Sequence, residues 1–256
     1  VGAGNSGCDI VVEAAQNAAK TFHSTRRGYW YVPKYAFGKP ADIINEMPLK
    51  LGVPVWLRRV INGAILKVLV GDLRRYGLRK PDHKLLQTHP IINQHITYYM
   101  GHGKITAKPD VAELCGDSVQ FKDGSIEPID VLIYATGFNI TFPFIDNKYL
   151  GWDGQKPDLY MNTFHREYDN LFVIGLIQPD SGQFWIADLQ SQLMARFIEA
   201  NETGAPIAQE FKHIKATEQP DMGGGIKYLE STRHYVEIEH HSYRQRVKKL
   251  IDMFET

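Results

Sequence analysis

The stretch Val1-Gly2-Ala3-Gly4-Asn5-Ser6-Gly7-Cys8-Asp9 decides how this chain is read. Three glycines at the spacing G-x-G-x-x-G stand directly before a segment in which Ile10, Val11, Ala14, Ala15, Ala18 and Ala19 recur at helical intervals, so the pattern predicts a helix over residues 4–20. Each glycine has its own physical reason. The first permits a tight turn, the second lets a pyrophosphate approach the backbone, and the third lets helix and strand pack closely. Phosphates held there sit on free N–H groups at the positive end of the helix. Residues 21–26 follow as a short strand. At its end an NAD site usually presents an Asp or Glu, about 20 residues past the glycines, for the ribose hydroxyl. His23-Ser24-Thr25-Arg26-Arg27 offers no acid. Guanidinium groups bind phosphate oxygens in a bidentate fashion, so NADP is expected over NAD. The bland alternatives are a glycine turn without a ligand and two solvated arginines.

Outward from this motif, strands and helices alternate. Residues 29–40, aromatic and broken by Pro and Gly, read as loop. Residues 53–77 read as a helix with apolar Trp56, Leu57, Val60, Ile61, Ala64, Ile65, Val68 and Leu69 interrupted by Arg58, Arg59 and Lys67. Residues 118–121 and the turn Asp123-Gly124 predict a β-hairpin. Residues 131–134, ending at Ala135-Thr136-Gly137, and 171–174, ending at Gly175, are short apolar runs suited to buried strands. Residues 188–200 and the basic, amphipathic 243–254 read as helices. Strands that alternate with helices and end in glycine indicate an open α/β sheet.

Composition narrows the function classes. The chain has 256 residues, 43% hydrophobic and 23% charged, which fits a folded domain and not a disordered or collagenous one. No apolar run is long enough to span a bilayer. The two cysteines, Cys8 and Cys115, form neither a disulfide framework nor a zinc pattern, which suits a reducing, cytoplasmic compartment. Cys8 at a helix start is either an activated thiolate or, the favoured reading, a packing residue. Asp9 is read as a cap of the first turn, with a backbone contact as its alternative. The ten histidines lack ligand spacing, and no metal site is expected. Net charge is zero, yet between Arg26 and Lys84 there are 13 Lys and Arg against 4 Asp and Glu. Without a recognition motif this surplus does not point to nucleic acid. Residues 53–77 either pack or roof a channel, or they make peripheral membrane contact with Arg58, Arg59, Lys67, Arg74 and Arg75 toward anionic headgroups.

The ordered motifs carry a resemblance. Gly2-x-Gly4-Asn5-Ser6-Gly7-x-Asp9, then Ser24-x-Arg26-Arg27-Gly28, resembles the internal NADPH site of flavin-containing monooxygenases. His89-Pro90 with Asn93, Gly103-x-Ile105, the Asp123-Gly124 hairpin, Ala135-Thr136-Gly137-Phe138 and Leu171-Phe172-Val173-Ile174-Gly175 follow in that family's order over residues 1–200. Gln190 with Ala195-Arg196 matches its later helix loosely.

The resemblance implies an α/β, Rossmann-like fold with two dinucleotide sites, incomplete at the N-terminus because the family's flavin-binding glycines would lie before Val1. It implies an NADPH-binding domain over 1–133 with a helical insertion at about 40–80, the returning half of an FAD-binding domain over 134–205, and a helical extension over 206–256. It further implies that NADPH reduces FAD and that a C4a-hydroperoxyflavin passes one oxygen atom of O2 to an amine, a sulfide or a ketone. Gly2, Gly4, Asn5, Ser6 and Gly7 would hold the pyrophosphate. Ser24, Arg26 and Arg27 would hold the 2′-phosphate. Ala135, Thr136 and Gly137 would lie near the nicotinamide–flavin junction, and Gly175 and Gln190 near the flavin. No side chain is assigned as catalytic acid or base, and the oligomeric state is not read. The stretch alone is expected to be inactive. The alternatives are a disulfide-reductase-type flavoprotein and a non-enzymatic NADP-binding remnant.

Overall fold

The computed structural model describes every residue except 153, 155, 232, 233 and 256. The chain divides into two compact units, Val1–Phe138 and Asn139–Thr256, and each mixes helices with short strands.

The first unit opens with α1 (Asn5–Asn17), which runs directly out of the glycine turn with Gly4 as its N-cap. Its inner face is small and apolar. Cys8, Val11 and Ala15 pack with Tyr31, Ile91, Ile96 and Ile105 in one buried cluster. The fully buried Cys8 is therefore a packing residue. After α1 the chain enters β1 (Phe22–Ser24), then β2 (Tyr31–Val32), β3 (Tyr35–Ala36) and β4 (Lys39–Pro40). Three strand pieces thus stand where a loop is expected. The aromatic side chains there suit a pleated, half-buried surface, and this outweighs the Pro and Gly breaks.

The insertion that follows contains α2 (Ala41–Lys50) and α3 (Val55–Leu69), and a separate 3-10 turn over Leu73–Tyr76. The single helix expected over 53–77 is broken at Gly71, whose φ of 76° no helix accommodates. Next come β5 (Ile91–Ile92), α4 (His95–Gly101) and β6 (Thr106–Lys108). Last is a meander of β7 (Val111–Cys115), β8 (Ser118–Phe121) and β9 (Ile126–Pro128). The Asp123-Gly124 turn joins β8 to β9, with Gly124 at φ 83°.

Pairing is parallel where crossovers require it: β1 with β6, and β2 with β5. The expected open sheet appears as separate pairs. Residues 131–134 are not a strand. Among the described residues Val1 bonds there, donating to the Ile133 carbonyl at 2.7 Å and accepting from Ala135 N at 2.8 Å. Val131 and Tyr134 are exposed, because two bonds to one residue do not build a ladder.

The second unit contains β10 (Leu159–Tyr160), β11 (Phe164–His165), β12 (Gln178–Pro179), α5 (Gln183–Thr203), α6 (Pro206–Thr217), β13 (Glu237–Ile238) and α7 (His240–Asp252). Residues 171–174 also miss the expected strand; Phe172 makes an isolated bridge to Phe164. The side chains explain this, since Phe172 is drawn onto Phe164 and Phe197 in an edge-to-face aromatic lattice. Helix α7 is no free amphipathic tail. Tyr243, Val247, Leu250 and Ile251 are buried with Leu189, Leu193 and Phe197 of α5. Lys215 of α6 is buried, with its ammonium donating to the carbonyls of His165, Arg166 and Tyr168 at 2.8–3.2 Å. No helix among the described residues is long and apolar enough to cross a membrane.

Candidate dinucleotide site

The glycine turn is built by backbone contacts that leave no room for side chains at two of its three positions. A Cβ at Gly2, where φ is 119°, would lie 2.2 Å from the Ala135 carbonyl oxygen. One at Gly7 would lie 2.4 Å from the Gly2 oxygen. At Gly4 a Cβ would meet nothing within 4 Å. The first and third glycines are thus required by packing, while the second faces open space. Helix α1 has no side-chain cap, so the N–H groups of its first turn find no side-chain acceptor at the Gly4 position. The arrangement suits an anion of pyrophosphate size.

The neighbouring polar groups fix this turn in place. Gly2 N donates to the Ser24 carbonyl at 3.0 Å. Asn5 Oδ1 accepts from Ile92 N at 2.7 Å, which ties the start of α1 to β5, while Ser6 is exposed. Asp9 accepts from Asn93 Nδ2 at 2.7 Å, and Asn93 Oδ1 accepts from Ile96 N at the start of α4. Asp9 therefore does not cap α1. It lies past the first turn, whose N-cap position belongs to Gly4. His23 is buried with Nε2 3.0 Å from the Gly2 oxygen, which makes Nε2 the protonated nitrogen. Burial pushes its pKa down to about 4, against the smaller opposing effect of that hydrogen bond. The ring is neutral at neutral pH.

The three candidates for the 2′-phosphate sit differently. Ser24 is buried at the end of β1, and its hydroxyl donates to the Pro109 carbonyl at 2.7 Å. Arg27 forks onto Asp82, with Nε and Nη2 2.9–3.1 Å from the carboxylate. Asp82 also meets His83 Nδ1 at 2.8 Å. Burial of Asp82 opposes its ionisation, but the hydrogen bonds from Arg27 and His83 outweigh it and hold its pKa below the usual carboxylate value. Arg26 is exposed. Among the described residues its side chain meets no carboxylate, and its carbonyl accepts from Arg79 Nη1 at 3.1 Å. Arg79 escapes a reading confined to the motif. Its only sequence signal is its membership of the basic surplus.

Ala135 is brought against both Gly2 and Gly7, and the exposed Thr136 and Gly137 continue from it. In the second unit, Gly175 and Gln190 come together directly, with Gly175 N donating to Gln190 Oε1 at 3.0 Å. The buried Gln190 amide also donates to Thr163 Oγ1 and Tyr243 Oη, at 2.8 and 2.7 Å. Gln183 Nε2 closes the same turn on the Gly175 carbonyl at 2.9 Å.

The apolar helix α3 presents its surface inversely to a membrane-facing basic helix. Arg58 is buried, Arg59 Nε is bonded to the Leu85 carbonyl at 2.8 Å, and Arg74 is paired with Asp72. Arg58 and Arg59 are thus turned to the protein, whereas Arg74, Lys67 and Arg75 are exposed. Trp56, Val60, Ile61 and Val68 do face outward. No group of three or more His, Cys, Asp or Glu capable of holding a metal occurs among the described residues.

Comparison with known proteins gives concordant matches. Residues 1–253 match the family model described as flavin-binding monooxygenase-like. Human flavin-containing monooxygenase 5 is 31% identical over 261 residues, covering 99% of this chain and 47% of that protein. Human flavin-containing monooxygenase 2 is 33% identical over 207 residues, covering 77% and 38%. Rabbit (Oryctolagus cuniculus) flavin-containing monooxygenase 5 is 30% identical over 258 residues, covering 98% and 48%. The chain spans about half the length, or less, of these relatives.

Proposed function

The chain belongs to the flavin-binding monooxygenase-like family, and from that membership we propose that the protein carrying it uses NADPH and FAD to transfer one oxygen atom of O2 to a soft nucleophile, an amine or sulfide, or to a ketone. Relatives named as flavin-containing monooxygenases are oxidoreductases. The observation that carries the cofactor reading is the glycine turn, closed at Gly2 and Gly7, open at Gly4, and followed by Arg26 in place of an acid. These residues fit a dinucleotide with a 2′-phosphate. The turn and the first N–H groups of α1 would take the pyrophosphate, and Arg26 the 2′-phosphate. Ser24 would only shape the turn, since its hydroxyl is engaged on Pro109 and its carbonyl on Gly2 N.

We assign residues 1–133 to the NADPH-binding part of a Rossmann-like fold. Residues 134–205 belong to the returning part of the FAD-binding portion, and 206–256 to a helical extension. Flavin supplies the oxygen chemistry when bound. Gln190 has its amide fully occupied, so its part is to hold the Gly175 turn in shape for the flavin. Ala135, Thr136 and Gly137 would lie beside the nicotinamide. A membrane contact would use the outward apolar side chains of α3, together with the exposed Lys67 and Arg75.

The deciding experiment supplies the full-length protein with NADPH, isotopically labelled O2 and a thioether. The expected result is labelled sulfoxide in step with NADPH oxidation. NADPH oxidation that leaves the label only in water or peroxide would overturn the oxygen-transfer reading.

A further inference from the structure

We infer that Arg79 is the second guanidinium of the 2′-phosphate subsite, acting with Arg26 where the sequence alone suggested Arg27. The inference rests on the NADP reading above and deepens it.

The segment containing Arg79 is fastened to the end of the β1 loop by three separate contacts. Arg79 Nη1 donates to the Arg26 carbonyl at 3.1 Å. Gly28 bridges Pro81 in parallel register, at an approach so close that a Cβ on Gly28 would lie 2.1 Å from the Lys80 oxygen. Asp82 then receives the fork of Arg27. Behind Asp82 stands His83, its side chain almost fully enclosed, with Nδ1 on the carboxylate and Nε2 2.9 Å from Thr88 Oγ1. These contacts fix positions 26 and 79 side by side although 53 residues separate them in sequence.

They also sort the charges. Arg27 has its charge compensated by Asp82. Arg26 and Arg79 are both exposed, and among the described residues Arg79 Nη1 donates to a neutral carbonyl. Neighbouring like charges without a counter-ion repel, and a phosphate dianion between them turns that repulsion into two charge-assisted contacts. The planar fork of arginine suits such a contact better than a lysine does.

The test titrates the purified protein with NADP+ and, separately, NAD+, and follows binding by calorimetry. Thermal melting of each variant checks its folding. Arg79→Ala is expected to weaken NADP+ about tenfold or more, with less than about a twofold change for NAD+. Arg79→Gln, which keeps a donor for the Arg26 carbonyl but removes the charge, should lose the same preference, and Arg79→Lys should recover part of it. If Arg26→Ala abolishes NADP+ preference while both neutral Arg79 variants retain it, the Arg79 assignment falls and the cofactor reading stands. Equal losses for both cofactors on Arg79→Gln would make Arg79 structural and also overturn the assignment. A wild-type protein that does not prefer NADP+ to NAD+ would overturn both.

Discussion

At the scale of single residues, the three glycines of one motif are bound by different constraints. Gly7 lies against backbone, whereas Gly4 lies against open space. The backbone of Gly4, at φ −69° and ψ 171°, is one that alanine adopts freely. Gly4→Ala is therefore expected to change stability by less than about 1 kcal/mol while obstructing the approach of the phosphates. Gly7→Ala is expected to cost several times more, about 2–4 kcal/mol, because its new methyl group meets a carbonyl that cannot move without opening the turn. Melting curves and NADP+ titrations on the two variants separate these effects. Comparable destabilisation by both would show that Gly4 also is held by packing. The tight turn at Gly2 and the close packing at Gly7 are legible from spacing alone. The engagement of Ser24 with Pro109 and of Arg27 with Asp82 is not, because each depends on a partner 55 or more positions away.

At the scale of elements, periodicity located the helices better than it oriented them. A turn and then a helix are expected over 4–20, and helix α1 spans Asn5–Asn17. Helix α5 extends beyond the expected 188–200 at both ends. The strands expected at 131–134 and 171–174 failed for different reasons: the first meets no neighbouring ladder among the described residues, and the second makes a single bridge, Phe172 to Phe164, within an aromatic lattice. Helix α3 inverts the usual arrangement, with Arg58 inside and Trp56 and Val68 outside. A hydrophobic pattern reports a stripe but not what the stripe faces. Two substitutions make the contrast measurable. Phe197→Ala in α5 removes a fully buried ring from contact with Phe164 and Phe211, and should cost about 3–5 kcal/mol in chemical denaturation. Val68→Ser in α3 should stay within about 0.5 kcal/mol yet reduce sedimentation with phospholipid vesicles. Arg58 is buried and Arg59 is held by a carbonyl, which leaves the exposed Lys67 and Arg75 to attract headgroups, so anionic vesicles should bind it only modestly better than neutral ones. A strong preference for anionic vesicles would contradict that account.

For the whole molecule, the division between Phe138 and Asn139 falls within residues 131–142, which carry no regular secondary structure. The Phe138 side chain is 99% exposed. Brief chymotrypsin treatment is expected to cut first at Phe138 or Tyr134 and to yield two fragments identifiable by mass. A first cut within α2 or α3 would show that the insertion, and not this segment, is the most open part of the chain. The pairing of Val1 with Ile133 and Ala135 also bears on the order of folding. Helix α1 can nucleate from its own residues within microseconds or less, but the flanks of the glycine turn are completed only when a loop of more than a hundred residues has closed. Such distant contacts are costly in chain entropy and form late. The glycine turn is thus among the last features of its unit to mature, and a nascent chain acquires its helices well before that turn is closed.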